Sequence, residues 1–164
     1  MTNATVEWIF VAAAGGAAMQ SVDRVEAIAG RGLKGDRYGE RRGSGTGWDE
    51  CQVTLIEGEH LERIAAESGV RVLNGEHRRN IVSRGIVLER LHGARFRIGT
   101  AVLAYDRPRP PCAYIASITE PLMTRALGAR AGICARVLCG GIIRRGDPIV
   151  VIGAGEATTA VDAG

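Results

Sequence analysis

The sequence is poor in lysine and in aromatic residues. Arginine supplies twenty of the twenty-one basic side chains, and Lys34 is the single lysine. Aromatic residues make up only 4% of the 164 residues, which argues against the stacking platforms that bind single-stranded nucleic acid. A net charge of +3 with no basic block along the chain argues against any long polyanion. We therefore expect no nucleic-acid partner, whereas small anions suit the arginine-rich composition.

Long apolar runs and a secretory signal are also missing. No apolar stretch approaches the roughly 20 residues of a membrane span, so no membrane partner is expected. The apolar stretch from Val6 to Ala14 lacks a positively charged start and is interrupted by Glu7, which is not the pattern of a signal peptide. The simplest expectation is a cytoplasmic protein with reduced thiols.

The cysteines form no C-x-x-C pair, and the chain has only three histidines. A structural zinc site is therefore not expected. Two of the cysteines lie in an apolar, strand-like stretch where inert burial is the usual outcome for a free thiol. They are Cys134 and Cys139, and the other two are Cys51 and Cys112.

What the sequence does contain is typical of a single globular domain. Its hydrophobic content is 46% and its charged content 24%, values close to the average of soluble proteins. A chain of this length buries enough surface to fold without disulfide or metal staples. We predict one domain over residues 1–153. Residues 154–164 are small and polar, and we expect them to form a flexible tail.

Short strands separated by glycine turns dominate the pattern. We predict at most two real helices, Glu57–Ser68 and Glu120–Leu127, and one helical turn over Val87–Leu91. The glycine-rich stretch Arg41–Asp49 is expected to be mobile. Such a succession of short strands favours a mainly β, barrel-like core. The predicted strands are Val6–Ala14, Ser21–Ala29, Cys51–Ile56, Asn80–Ser83, a hairpin of 96–99 and 101–105 around Gly99-Thr100, Ile133–Leu138 and Ile149–Ile152.

Cys112 is the best candidate for chemistry in the sequence. It follows a run that contains three of the five prolines, from Asp106 through Pro111. Proline fixes φ and removes a backbone donor, so this segment should be a rigid, extended loop. Arg107 and Arg109 stand just before the cysteine, and their positive charge would favour the thiolate. The alternative is a small buried residue with no chemical role.

Two other stretches suit an anionic ligand. The loop Gly30–Gly39 has four glycines, whose backbone N–H groups can approach an anion closely. It is not a P-loop, because no G-K-[ST] ends it, and a plain tight turn remains the alternative. The second stretch precedes a strand and places two arginines and an asparagine at its entrance. The candidate ligand-binding residues are Lys34, Gly35, Asp36, Arg37, Arg78, Arg79 and Asn80. Simple solvation is the alternative for the paired arginines, and backbone capping is the more ordinary role of Asp36 and Asp147.

The order of these pieces resembles the MOSC domain, named for the C-terminal part of molybdenum-cofactor sulfurase, in its small stand-alone form. The resemblance covers roughly residues 5–152. It rests on the ordered set Gly32–Tyr38, Gln52–Glu57, Arg78–Val82, Phe96–Gly99, Pro111-Cys112, Ala135–Val137 and Gly140 to Asp147. It implies a MOSC-type β-barrel with a few short peripheral helices and one functional cysteine, Cys112. Relatives often carry a second cysteine shortly before the Pro-Cys pair; here Arg107 and Arg109 stand in that region, so Cys112 would act alone.

The resemblance implies a link to the molybdenum cofactor in one of two ways. In the first, Cys112 is a ligand of the metal and the site reduces N-oxygenated compounds with electrons from a separate electron-transfer protein. The phosphate of the pterin would then be held by Arg78, Arg79, Lys34 and Arg37, with backbone N–H groups of the glycine loop beside them. Asn80 would donate to a pterin oxygen or simply hold the loop. In the second, Cys112 accepts persulfide sulfur from a cysteine desulfurase, and pyridoxal phosphate acts only through that partner enzyme.

Under the first hypothesis the protein would be a molybdenum-dependent oxidoreductase, and under the second a sulfurtransferase. A thiolate suits both, because it is a soft metal ligand and a good sulfur nucleophile. A third reading is a non-catalytic binding module in which Cys112 is buried and unreactive. The substrate, the electron donor and the oligomeric state have no signal in the sequence.

Overall fold

The structure is a computed structural model that describes residues 3–40 and 51–154, and it confirms a mainly β chain. The predicted mobile stretch Arg41–Asp49 and the predicted tail, apart from Ala154, lie outside these residues. Within them the chain forms eleven strands. They are β1 (Thr5–Val11), β2 (Gln20–Ser21), β3 (Arg24–Ile28), β4 (Gly32–Leu33), β5 (Val53–Glu57), β6 (Ile81–Arg84), β7 (Ala94–Ile98), β8 (Ala101–Pro108), β9 (Ile133–Cys139), β10 (Gly141–Arg144) and β11 (Ile149–Ala154).

Three α-helices and two 3-10 turns complete the described chain. The helices are α1 (Gly58–Ser68), α2 (Ala113–Ile118) and α3 (Met123–Leu127), and the turns are Leu88–Leu91 and Gly128–Arg130. The prediction of at most two helices was wrong, because α2 was missed: it begins after Cys112, whose side chain makes no capping hydrogen bond. The predicted end of α1 is confirmed, since Gly69 takes a left-handed φ of 69° and closes the helix.

Eight strands form one curled, half-barrel sheet, in the order β11-β7-β8-β9-β5-β6-β1-β2. Most neighbours are antiparallel, and the predicted hairpin around Gly99-Thr100 is confirmed as β7 and β8. The pair β5 and β6 is parallel because α1 crosses over between them. A smaller sheet, β10-β3-β4, lies beside the large one. Its strand β10 was not predicted, since its few residues lie between turns.

Two apolar clusters fill the space around the sheet. One is built from strand residues, with Phe96, Leu55 and Ile81 fully buried. The other packs Ile64 of α1 and Met123 of α3 against the sheet. Each such side chain contributes roughly 1.5–3 kcal/mol through burial. The helices are thus held on the sheet by their apolar faces. None of the described helices has the length and apolar character needed to cross a membrane.

The segment before Cys112 differs from its prediction as a loop. Strand β8 continues to Pro108, and its last residues pair with β9 in the register Arg107↔Cys134 and Pro108↔Ile133. Strand β7 pairs with β8 only as far as Ala104. Residues 105–108 therefore have a strand partner on one side only, and proline is tolerated where its missing N–H faces no ladder partner.

Gly132, the residue just before β9, has a backbone conformation that other residues adopt only with strain. Its φ is 94°, and a Cβ there would collide with the Leu55 carbonyl oxygen. Gly146 has a similar φ of 88°, but a Cβ there would meet no atom within 4 Å. Substitutions at the two positions therefore distinguish the energetic cost of a left-handed backbone from that of a steric collision.

We expect Gly132→Ala to lower the free energy of unfolding by roughly 3–5 kcal/mol, because strain and collision add. Gly146→Ala should cost only about 1–2 kcal/mol, the cost of the left-handed backbone alone. Urea unfolding of the two variants beside the unsubstituted chain measures this difference. Equal destabilisation of both variants would contradict the close approach of β9 to β5.

Candidate functional site

Three segments meet beside the sheet and bring four arginines together around one tyrosine. They are the loop after β4, the segment before β6 and the segment after β8. The Arg37 guanidinium donates to the Arg78 carbonyl at 3.3 Å, Arg79 donates to the Arg109 carbonyl at 3.3 Å, and Arg109 donates to the Tyr38 hydroxyl at 3.0 Å. We call Arg37, Tyr38, Arg78, Arg79 and Arg109 the arginine cluster.

Asp36 holds the glycine loop in place. Its fully buried carboxylate accepts hydrogen bonds from the backbone N–H groups of Ala12 (3.0 Å) and Tyr38 (3.2 Å) and from the Arg37 guanidinium (3.1 Å). The expectation that Asp36 caps backbone groups is thereby confirmed. The neighbouring Gly35 is exposed and has a φ of 85°, which glycine adopts without strain.

Arg37 and Tyr38 form the base of the cluster. The Arg37 guanidinium lies 4.3 Å from the centre of the Tyr38 ring, within the range of a cation–π contact. The Tyr38 hydroxyl accepts hydrogen bonds from Arg37 at 3.4 Å and from Arg109 at 3.0 Å. Tyr38 therefore links the glycine loop to the segment that leads to Cys112.

Arg78 and Arg79 are buried cations whose hydrogen bonds go to carbonyl groups. Arg78 donates to the Ala17 carbonyl at 2.6 Å and Arg79 to the Ala131 carbonyl at 2.7 Å. Burial lowers the pKa of Arg78, and the positive charge of Arg37 lowers it further. Burial, followed by the charge of Arg109, lowers the pKa of Arg79 to about 10. Both side chains stay protonated at neutral pH, and an added anion would relieve the repulsion of Arg78 by Arg37 and of Arg79 by Arg109.

Arg78 also has the only positive φ found at a non-glycine residue within the described chain, 63°. Its backbone N–H donates to the Gly75 carbonyl at 2.9 Å, which closes a tight turn just before β6. A left-handed arginine costs about 1–2 kcal/mol, so the surrounding structure must hold it there. This turn sets the Arg78 side chain toward Ala17 and the Arg79 side chain toward Ala131 and Arg109.

His77 fixes the backbone of Arg79 from inside the core. Its Nδ1 accepts the Arg79 N–H at 2.9 Å, and its ring meets the Phe10 ring edge-on at 5.3 Å between centroids. The imidazole is fully buried, and burial, followed by the charge of Arg79, lowers its pKa to about 3. His77 is therefore neutral in the folded protein at ordinary pH, with its proton on Nε2.

Asn80 joins three strands. Its Oδ1 accepts from the backbone N–H and the hydroxyl of Thr54 at 3.0 and 3.1 Å, and its Nδ2 donates to the Phe10 carbonyl at 3.1 Å. The sequence left open whether Asn80 binds a ligand or holds the backbone. The structure places it in the second role, because its amide is fully buried among these partners.

Cys112 is exposed and stands directly before α2, and its carbonyl accepts a hydrogen bond from the Thr124 hydroxyl at 2.7 Å. The two preceding arginines have partners of their own. Arg107 pairs with Asp106 at 2.7 Å, and Arg109 binds Tyr38. Pro110-Pro111 connects Arg109 to Cys112, so the thiol and the arginine cluster are neighbours along a stiff piece of chain.

The predicted residue Lys34 lies apart from the arginine cluster. Lys34 is exposed and lines a cavity of about 300 Å³ together with Val22 and Arg24 of the small-sheet region. A second cavity, of about 390 Å³, lies next to Arg78. It is lined by Gly16, Ala18, Met19, Arg71, Asn74, Gly75, Glu76, Ile118, Thr119 and Glu120.

Sequence reasoning missed two members of the site. Tyr38 directly follows Arg37 in the glycine loop, but one exposed-looking tyrosine gave no signal of its own. The sequence indicates Arg109 only through its position just before Cys112. The prediction that Cys139 is buried was also wrong: Cys134 is buried, whereas Cys139 is exposed because it ends β9 beside the Gly140 turn.

The described residues thus combine a half-barrel sheet, an exposed cysteine and a cluster of four arginines around one tyrosine. The family model of the MOSC domain matches residues 42–150, and the chain belongs to this family. No curated protein matches the chain significantly.

Solved structures share the fold at low sequence identity. The YuaD protein of Bacillus subtilis superposes with a TM-score of 0.75 at 21% identity, covering 92% of this chain and 96% of that one. YiiM from Geobacillus stearothermophilus gives a TM-score of 0.71 at 20% identity, over 91% of this chain and 75% of that one. YiiM from Escherichia coli gives 0.66 at 16% identity, over 96% and 76%. These likenesses establish the fold.

The buried His77 predicts a loss of stability in acid. An unfolded histidine has a pKa near 6.5, so between pH 6.5 and about 3 the unfolded chain binds a proton that the folded chain does not. Stability therefore falls as the pH drops through this range, by about 2 kcal/mol between pH 8 and pH 5 from this residue alone.

Chemical denaturation at pH 8 and pH 5 checks this. His77→Phe should show a pH dependence smaller by about 2 kcal/mol than that of the unsubstituted chain. The exposed His92 offers a control, since His92→Gln should keep the full dependence. An unchanged pH dependence in His77→Phe would contradict a neutral, buried imidazole.

Proposed function

We propose that this MOSC protein binds the molybdenum cofactor, with Cys112 as the protein ligand of the metal and the arginine cluster as the site of the pterin phosphate. The family is associated with that cofactor. The observation that carries the proposal is the pair Arg78 and Arg79, two buried cations hydrogen-bonded to carbonyl groups. Carbonyl groups orient a guanidinium but do not neutralise it, so a phosphate would add negative charge to that of the Asp36 carboxylate.

The residues present fit such a group. An exposed thiol, as its thiolate, is a soft ligand suited to molybdenum. A guanidinium can bind two phosphate oxygens at once. Arg79 donates to the Arg109 carbonyl and is thereby linked to the segment that ends at Cys112. When bound, the cofactor would supply the metal centre that reduces N-oxygenated compounds with electrons from a separate protein.

The chain's own residues would orient this group. Arg37 and Tyr38 line the site. The hydrogen bonds of Asp36 and Asn80 hold the surrounding backbone in place. Lys34 and Gly35 are exposed on the glycine loop. Lys34 would contribute its charge at long range and Gly35 would contribute backbone flexibility, and neither would contact the cofactor directly. In the cell, reduced thiols would be required for Cys112 to serve as a ligand.

A sulfur carrier is the second candidate, and the exposure of Cys112 favours it as well. The outer sulfur of a persulfide on a cysteine desulfurase that carries pyridoxal phosphate would pass to the Cys112 thiolate. The Cys112 thiol, directly before α2, is open to such a partner. The same exposure disfavours a binding module with a buried, unreactive cysteine.

Cys112→Ser tests the first candidate directly. After production in a cofactor-competent host, the unsubstituted chain should contain molybdenum and pterin, and the variant should lose most of the metal because serine is a poor ligand for it. Elemental analysis and pterin fluorescence measure the two contents. Cys139→Ser, which changes the other exposed thiol, should keep both. Absence of metal from every form, with about 32 Da added to Cys112 by a desulfurase, would favour the sulfur carrier instead.

Arg79→Gln tests the phosphate site. Loss of one buried, charge-assisted contact costs about 1.5–3 kcal/mol, so pterin retention should fall roughly 10–100-fold. The exposed Arg97 on β7 gives a matched control, and Arg97→Gln should bind as the unsubstituted chain does. Circular dichroism establishes that both variants are folded. Normal pterin content in a folded Arg79→Gln protein would rule out the cluster as the phosphate site.

A further inference from the structure

β11 is an end strand of the large sheet, and most of its outer edge has no partner strand. On its inner side it pairs with β7. On its outer side the Ile149 N–H donates to the Ala4 carbonyl at 2.8 Å, and beyond Ile149 the described part of the chain provides no strand or hydrogen bond on that side. The outward backbone groups of β11 after Ile149 are therefore available to another chain.

The same strand is apolar and exposed. Val150, Val151 and Ile152 have exposed fractions of 43%, 53% and 37%. Residues 149–154 include no charged residue and no proline, which are the residues that commonly keep edge strands from pairing. An apolar edge of this kind is typical of a surface to which an extended peptide adds a strand.

Two arginines of β7 lie directly beside this edge. Arg95 is opposite Gly153 of β11, and Arg97 is opposite Val150. The Arg95 guanidinium lies over Gly153, since a Cβ built on that glycine would be 2.9 Å from the arginine Nη2. The Arg95 side chain thus reaches across to β11 and brings positive charge close to the outer edge.

These arginines lack an acidic partner within the residues that the structure describes. Neither Arg95 nor Arg97 takes part in an ion pair there, and the buried Nε of Arg95 has no hydrogen-bond acceptor. Arg136 of β9 continues the row on the other side of Ala104, and its buried Nε also has no acceptor. A guanidinium with unused donors favours a carboxylate, which it can bind through two hydrogen bonds.

We propose that the outer edge of β11, with Arg95 and Arg97 beside it, binds an acidic, extended segment of another protein as an added strand. The backbone of that segment would pair with β11, its carboxylates would contact the arginines, and its apolar side chains would cover Val151 and Ile152. A second copy of this chain suits the edge less well, because its β11 has no acidic residue and would bring further arginines to the same interface.

This surface is separate from the proposed cofactor site. It shares no residue with the arginine cluster, so the inference does not depend on the proposed function. Both candidate functions nevertheless involve a partner protein, either an electron donor or a cysteine desulfurase. An acidic segment of such a partner is the kind of ligand that the surface suits.

A fluorescein-labelled peptide of alternating glutamate and valine tests the proposal with the full chain. We expect it to bind at about 50 mM salt and to bind more weakly at about 500 mM, as measured by fluorescence anisotropy. Arg95→Gln and Arg97→Gln should each raise the dissociation constant about 2–5-fold. Arg63→Gln, at an exposed arginine of α1, is the matched control and should leave the dissociation constant unchanged.

Two further peptides separate strand addition from charge attraction alone. The same sequence with every backbone nitrogen methylated keeps its charge but has no strand donors, and it should bind at least about tenfold more weakly. A peptide with lysine in place of glutamate should not bind. When the first peptide binds, hydrogen–deuterium exchange should slow in residues 149–154.

Four results would overturn the proposal. The glutamate–valine peptide could fail to bind at about 1 mM. The methylated peptide could bind as tightly as the first. Protection from exchange could fall on the segment before β6, which would place the acidic peptide on the arginine cluster. Light scattering could show a dimer whose β11 is protected without any peptide, which would make a second copy the occupant of the edge.

Discussion

The hydrogen bonds of Asn80 are the constraint on which the rest of the structure depends. One buried amide binds Thr54 on β5 and the Phe10 carbonyl on β1, while its own chain enters β6. Each of these groups left unpaired would cost about 1–3 kcal/mol, so the three strands have little freedom to slide. Because Arg78 and Arg79 immediately precede Asn80, the same contacts determine where the two guanidiniums emerge.

Burial gives those guanidiniums their chemical character. A guanidinium in water is stabilised by hydration and gains little from an added anion. Arg78 and Arg79 have lost most of their water, and they are repelled by the charges of Arg37 and Arg109 respectively. The His77 imidazole, which accepts the Arg79 N–H, stays neutral in this setting and so adds no further positive charge. The site combines positive potential with a rigid frame, which is the preorganisation that anion binding requires.

Membership of the MOSC family and likeness to YuaD and YiiM concern the half-barrel, which is shared at 16–21% identity. Fold and site are separate levels of description, and function belongs to the site. In this chain the exposed Cys112 stands directly before α2 and is joined by Pro110-Pro111 to Arg109 of the arginine cluster.

The sequence by itself determined the elements whose signals are local. Alternating apolar residues predicted most of the strands, Gly69 marked the end of α1, and Gly99-Thr100 marked the hairpin, since periodicity and left-handed glycines act over a few residues. Only the tertiary structure decided which side chains meet. The contacts of Tyr38 with Arg109 and of His77 with Phe10 join residues far apart in the chain, and such contacts follow from strand order and register, which no local pattern encodes.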